Sequence, residues 1–152
     1  MIFLGGMNLK LSVLIPAHNE EGSIRETVHG VFDALTKEEI PHEILVVNDH
    51  STDRTEKILN KISREVPSLR QINNSLPNGF GYAVRCGLNN LKGDCVALFM
   101  ADSSDSPDDL VKFYRTLVQG NYDAVFGSRF MPDGQTINYP IVKLYLNRMV
   151  NS

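Results

Sequence analysis

Cysteine is scarce in this chain. Cys86 and Cys95 are the only two among 152 residues, which excludes a disulfide scaffold and a four-cysteine zinc site and makes a reduced, cytoplasmic setting the expectation. Positive charge is not in excess either. Fifteen Lys and Arg stand against 18 Asp and Glu, a net charge of -3, whereas a general nucleic-acid binder is usually basic. Long apolar runs are missing: Val96 to Ala101 falls far short of the ~20 residues needed to cross a bilayer. The stretch Met1 to Met7 is apolar but lacks a positively charged start, and Lys10 soon follows, so it is not read as a signal peptide. Met7 serves as a start equally well. Internal repeats and low-complexity segments are absent from the sequence. What remains is an ordinary globular composition, 42% hydrophobic and 22% charged, in a chain long enough to bury roughly 70% of its unfolded surface.

Short apolar runs alternate with helical stripes. Leu11–Ile15 ends in Pro16, Glu43–Val47 in Asn48-Asp49, Asp94–Met100 in Ala101-Asp102, and Tyr122–Phe126 in Gly127-Ser128. Continuous apolar runs with polar ends predict parallel strands buried on both faces; a weaker strand is expected at Leu69–Ile72. Ile24, Val28, Val31, Phe32 and Leu35 share one helical face, as do Ile58, Leu59, Ile62 and Val66 behind a Ser51-Thr52-Asp53 cap. Leu110, Val111, Tyr114, Leu117 and Val118 form a third stripe, with Pro107 in its first turn and Gly120 as the expected C-cap. At least four strand-helix alternations imply a layered α/β domain with a mostly parallel central sheet flanked by helices.

In such sheets ligands bind beyond the carboxyl ends of the strands, which makes those ends the place to look for chemistry. Asp102, Asp105, Asp108 and Asp109 follow the most apolar strand, and carboxylates with few other donors suit a hard cation such as Mg²⁺ or Mn²⁺. Asp108 and Asp109 read better as first-turn acids of a helix; Asp102, at the strand end itself, is the stronger functional candidate. Asp49 is suited to a base N–H or a ribose hydroxyl, or else to an Asx-turn. Arg129 is suited to phosphate oxygens, or else to a nearby aspartate. His18 and His50 fall at strand ends, while His29 and His42 read as surface residues and the two cysteines as buried small hydrophobes. Gly79-Phe80-Gly81-Tyr82-Ala83 opens a helix-like segment but is not a dinucleotide fingerprint, and no Walker lysine motif or nucleophile elbow is present.

Five segments in order carry a resemblance. They are Leu11–Glu21 (LSVLIPAHNEE), Val46–Thr55 (VVNDHSTDRT), Asn78–Gly87 (NGFGYAVRCG), Met100–Asp109 (MADSSDSPDD) and Val125–Phe130 (VFGSRF). Together they resemble glycosyltransferase family 2, with its Rossmann-like GT-A fold, and within it the dolichyl-phosphate mannosyltransferases and related polyprenyl-phosphate glycosyltransferases. The resemblance implies an inverting transfer of a sugar from a GDP- or UDP-sugar to a polyprenyl or dolichyl phosphate, in cell-envelope glycan synthesis. It implies a nucleotide-sugar site of Pro16, Ala17, His18, Glu20, Val47, Asp49, Asp102, Ser103 and Arg129. It places a Mg²⁺ or Mn²⁺ ion on Asp102, either alone or joined by Asp105, and catalytic roles on Asp102, Arg129 and Arg148. The metal and Arg129 would neutralise the departing diphosphate. A phosphate acceptor is already anionic, so no strong base is required.

The sequence departs from the family pattern at several points. Ala101 and Ser103 stand where two aspartates are usual, leaving a D-x-x-D variant; His18 replaces a common tyrosine, and Asn48 the first of two aspartates. Family members usually continue further. The expected organisation is a leader and strand start over 1–10, a nucleotide-sugar-binding core over 11–136, and an amphipathic, truncated helix over 137–152. That helix either packs on the sheet or lies at the cytoplasmic face of a membrane, and a homo-oligomer is left open. The alternative is a non-catalytic nucleotide-sugar-binding domain that needs further C-terminal sequence or a partner. A nucleotidyltransferase would show glycines after its first strand, and a phosphoreceiver domain would show acids there and a lysine after its fifth; neither pattern fits.

Overall fold

A computed structural model describes residues 9–127. Its elements run β1 (Leu11–Ala17), α1 (Ile24–Lys37), β2 (His42–Asn48), α2 (Thr55–Ile62), β3 (Leu69–Asn73), α3 (Phe80–Leu88), β4 (Cys95–Leu98) and α4 (Pro107–Gly120). The four strands form one sheet in the order β3-β2-β1-β4, and every pairing is parallel. Chain order proceeds from β1 through β2 to β3 on one side and then crosses to β4 on the other. The switch point, where a crevice opens at the carboxyl edge, therefore lies beside β1.

Strand alternation explains the apolar runs. Val13, Ile15 and Ala17 of β1 and Ile44 and Val46 of β2 join Val28, Val31, Leu59 and Leu110 in the larger core. Leu14, Leu45 and Val47, on the opposite face, meet Ala83 and Cys86 of α3. With helices on both sides, neither β1 nor β2 has a face to give to water, and both read as unbroken hydrophobic sequence. Helix α3 sits close because Gly87 has no side chain; a Cβ there would run into Leu14.

β4 departs from the expectation of a strand buried on both faces. Val96 and Leu98 are each 48% exposed, because α3 packs over β1 and β2. They share the α3 side of the sheet with Ser12 and Leu14, their register partners. Tyr122–Phe126, expected to be a further strand, joins no ladder: it is irregular, and Phe126 is exposed. Its β-prone residues find no strand partner among the described residues, and an apolar run without a partner is not yet a strand.

Helix ends show what local chemistry decides. Ser106 accepts the Asp109 amide at 3.4 Å with Pro107 behind it at the first position. At the far end Asn121, not Gly120, takes the left-handed conformation (φ 49°), one of the few that asparagine tolerates well. Asp53 alone of the expected Ser51-Thr52-Asp53 cap reaches the α2 start, accepting the Thr55 amide at 2.9 Å. His42 is not simply a surface residue: it is half-buried, hydrogen-bonded to the Ile40 carbonyl and to Ser68, with its ring edge-on to Phe32. Cys86 is buried and Cys95 partly so.

Candidate functional site

The loops after β1 and β2 interlock. Asn19 sits at φ 56°, and its side-chain oxygen accepts the Thr52 amide at 2.8 Å while its own amide donates to Ser51 Oγ at 3.0 Å. The Glu20 amide donates to Thr55 Oγ1 and the Glu21 amide to Asp53. Glu21 also pairs with Arg54 at 3.0 Å, and the hydrogen bond from Arg54 holds the Glu21 carboxyl below its usual value. The Glu20 carboxylate turns back to accept the Ser23 hydroxyl. Pro16 and Ala17 are buried in the last turn of the strand, and Val47 is fully buried beneath it. These three shape the floor of the edge, and His18, exposed above them, is the side chain on offer.

Asp49 is buried immediately past β2. Its Oδ1 accepts Asn74 Nδ2 at 2.7 Å and its Oδ2 accepts the Gly79 amide at 2.8 Å. His50 Nδ1 lies 3.2 Å from Oδ1. Burial alone would raise this carboxyl's pKa, but the bonds from Asn74, the Gly79 amide and His50 outweigh it and leave the group below the ordinary aspartate value. Gly79 is the N-cap of α3 at φ 143°, a conformation glycine alone adopts easily, so Asp49 also faces the positive end of that helix. The Asx-type turn considered for Asp49 is made by Asn48 instead, whose side-chain oxygen accepts the Ser51 amide at 3.2 Å.

The Asp49 carbonyl gathers a second set of donors. His18 Nδ1 donates to it at 2.5 Å and Asn78 Nδ2 at 3.1 Å, while Asn19 Nδ2 lies 3.1 Å from His18 Nε2. With the proton on Nδ1, Nε2 accepts from Asn19 and the imidazole ring is fixed in one tautomer. Sequence reading gave no role to Asn74 or Asn78. Applying the strand-end rule to the weak strand would have found Asn74, which directly follows β3.

Asp102 lies just past β4, exposed, and its Oδ1 accepts the Ser104 amide at 3.0 Å. Asp105 Oδ2 accepts the Met100 amide at 2.9 Å, closing a hook over residues 100–105. Ser103 occupies the left-handed region at φ 60°, and its hydroxyl lies 3.0 Å from Thr27 Oγ1 of α1. Asp108 and Asp109 are exposed first-turn acids of α4, and Asp109 pairs with Lys112. Among the described residues no group of three or more His, Cys, Asp or Glu side chains forms a ready metal site.

β2 and β4 both flank β1, so the ends carrying Asp49 and Asp102 are two strand spacings, roughly 10 Å, apart along the same edge. Arg129 and Arg148 lie outside the described residues, as do residues 1–8 and 128–152. No described helix is long and apolar enough to cross a membrane.

Comparison with known proteins adds the following. The description "Glycosyl transferase family 2" matches residues 12–151. A dolichol-phosphate mannosyltransferase of Pyrococcus furiosus is 29% identical over 140 residues, covering 92% of this chain and 39% of that protein. The chain thus spans well under half the length of that curated relative. Among solved structures, S. aureus TarS 1-349 superposes with a TM-score of 0.65 at 24% identity, covering 86% of this chain and 38% of that one. The M. tuberculosis glucosyl-3-phosphoglycerate synthase in complex with Mn²⁺, uridine diphosphate and phosphoglyceric acid is 27% identical. Its TM-score is 0.56, over 72% of this chain and 39% of that one.

Proposed function

The chain belongs to glycosyl transferase family 2, and from that premise we propose that it binds a nucleotide-diphosphate sugar along the carboxyl edge of β2, β1 and β4 for transfer to an acceptor. One observation carries this reading: three adjacent parallel strands bring Asp49, His18 and Asp102 to a single edge at the switch point. In this reading the nucleoside lies across the interlocked loops between His18 and Asp49, above Pro16, Ala17, Glu20 and Val47. The diphosphate lies toward Asp102 and Ser103. Arg129 and Arg148 are proposed for the phosphates from the sequence pattern. Residues 11–136 are taken as the nucleotide-sugar core and 137–152 as a separate amphipathic segment.

The donor set fits a hard divalent cation. Mg²⁺ and Mn²⁺ accept one or two carboxylates and complete their shells with phosphate oxygens and water, and Asp102, with Asp105 beside it, is the pair that would hold one. When bound, such an ion supplies charge neutralisation for the departing diphosphate. Asp49 keeps the β2 end rigid, while the ordered His18 ring presents a fixed face to a base.

The proposed donor is a GDP- or UDP-sugar. The proposed acceptor is a polyprenyl phosphate, supported by the likeness to a dolichol-phosphate mannosyltransferase. The acceptor oxygen would attack the anomeric carbon as the bond to the diphosphate breaks, inverting the centre. A lipid acceptor would bring the protein to the cytoplasmic face of a membrane, and a second copy of the chain is left to a measurement of mass. Because the chain spans 39% of that relative, the second reading is a donor-binding domain whose transfer activity needs further sequence or a partner.

The test is thermal denaturation with UDP and GDP, with and without Mn²⁺. Ligand at a hundred times its Kd is expected to stabilise the chain by about 2.7 kcal/mol. Asp102→Asn is expected to lose the metal-dependent part. An Asp102→Asn chain that keeps the whole Mn²⁺-dependent shift would overturn the role given to Asp102, and a wild-type chain stabilised by neither nucleotide would overturn the reading.

A further inference from the structure

We infer that Thr27 of α1, far from the carboxyl edge in sequence, is a positioning residue for the donor site through its hold on the loop that carries Asp102. This rests on the reading above. Thr27 is 4% exposed. Its hydroxyl donates to the Ala101 carbonyl at 3.0 Å and stands 3.0 Å from the Ser103 hydroxyl, from which it accepts. One side chain thus grips the residues on both sides of Asp102.

The loop needs such a grip. Ser103 is held at φ 60°, a conformation that costs a non-glycine residue free energy and persists only where its surroundings enforce it. Two further ties run within the loop: the Ser104 amide to Asp102 and the Met100 amide to Asp105. They set its shape, while the Phe99 amide, bonded to the Leu14 carbonyl, and the buried Ala101 seat its start on the sheet. An open cleft of about 190 Å³ lies beside it, with Glu26, Thr27, Gly30, Phe99, Ser103 and Asp105 among its lining residues. The Thr27 hydroxyl joins α1 directly to the loop there. Its methyl-bearing isostere valine would fill the same volume while dropping both hydrogen bonds.

The experiment compares wild type, Thr27→Val and Thr27→Ser as the whole chain, by two readouts. One is amide hydrogen exchange across residues 100–105 without ligand. The other is the Kd for UDP and for GDP with and without Mn²⁺. For Thr27→Val, exchange at 100–105 is expected to rise roughly tenfold while that of 42–48 in β2 stays unchanged. The Mn²⁺-dependent affinity is expected to weaken roughly fivefold, with metal-free affinity kept, as suits the loss of a hydrogen bond or two. Thr27→Ser, which keeps the hydroxyl, is expected to restore both. Wild-type exchange in Thr27→Val, or Thr27→Ser behaving as valine does, would overturn the inference. A wild-type chain that binds neither nucleotide would overturn the donor-site reading, and with it the role given to Thr27 there. Faster loop exchange in Thr27→Val with unchanged Mn²⁺-dependent binding would overturn the positioning role while leaving the donor-site reading standing.

Discussion

Strand β2 has a buried carboxylate at each end, and the two are satisfied in different ways. At the amino end Glu43 accepts the Ser12 hydroxyl at 2.6 Å, the Lys92 amide at 2.5 Å and Arg70 Nε at 3.0 Å. It thereby ties β1, β3 and the turn before β4 into one knot. At the carboxyl end Asp49 takes neutral amides from Asn74 and Gly79, with a histidine beside it. Both groups lie below their usual pKa, because hydrogen bonding outweighs the opposing effect of burial. At the amino end an arginine and a backbone amide close around the carboxylate, the nearby Asp94 accepts the Lys10 amide, and His42 is held by Ile40 and Ser68, so this end serves cohesion. The carboxyl end spends its carboxylate on fixing two loops, and it leaves His18, His50 and Asp102 facing outward.

Breaking the amino end is expected to have the largest effect on stability. Glu43→Ala strands the Ser12 hydroxyl, the Lys92 amide and the Arg70 guanidinium, and should cost roughly 3 kcal/mol. Urea denaturation would read this, and nucleotide affinity measured well below the midpoint should stay as in wild type. Breaking the carboxyl end should divide its effect between the two properties. Asp49→Asn retains one acceptor and should cost about 1–2 kcal/mol, yet weaken UDP or GDP binding at least tenfold in calorimetry. An equal loss of affinity in Glu43→Ala would erase the distinction between the two ends.

The smallest expected effect is in the pH dependence. A carboxylate depressed in the folded state contributes stability that is complete above its unfolded pKa and is lost as pH falls through the folded value. For both groups that window opens near pH 4 and extends downward. Acid titration of stability should therefore be shallower in either variant than in wild type below about pH 4, and coincide with wild type in shape above it.

How much of this the sequence discloses depends on the range of the interaction. β1 and β2 are legible because burial on both faces leaves a direct mark on composition, and Pro107 and Ser106 mark the start of α4 locally. Asp49 and Asp102 are legible as strand-end residues. Asn74 was missed because β3 reads as a weak strand, so its end drew no attention, and its partner Asp49 lies twenty-five positions earlier. Tyr122–Phe126 misleads in reverse: it has strand composition, but among the described residues it pairs with no strand, although β4 keeps a free outer edge. Gly120 and Asn121 compete for one left-handed cap, and their order in the sequence does not decide which will take it.

Parallel pairing also sets the order in which the sheet comes into being. Leu11 lies against His42 on one side and Cys95 on the other, so no rung of the sheet joins near neighbours along the chain. During synthesis the central strand emerges first and waits, its apolar residues uncovered, until a whole helix and a second strand have left the ribosome. Large loops must close before these contacts repay the entropy.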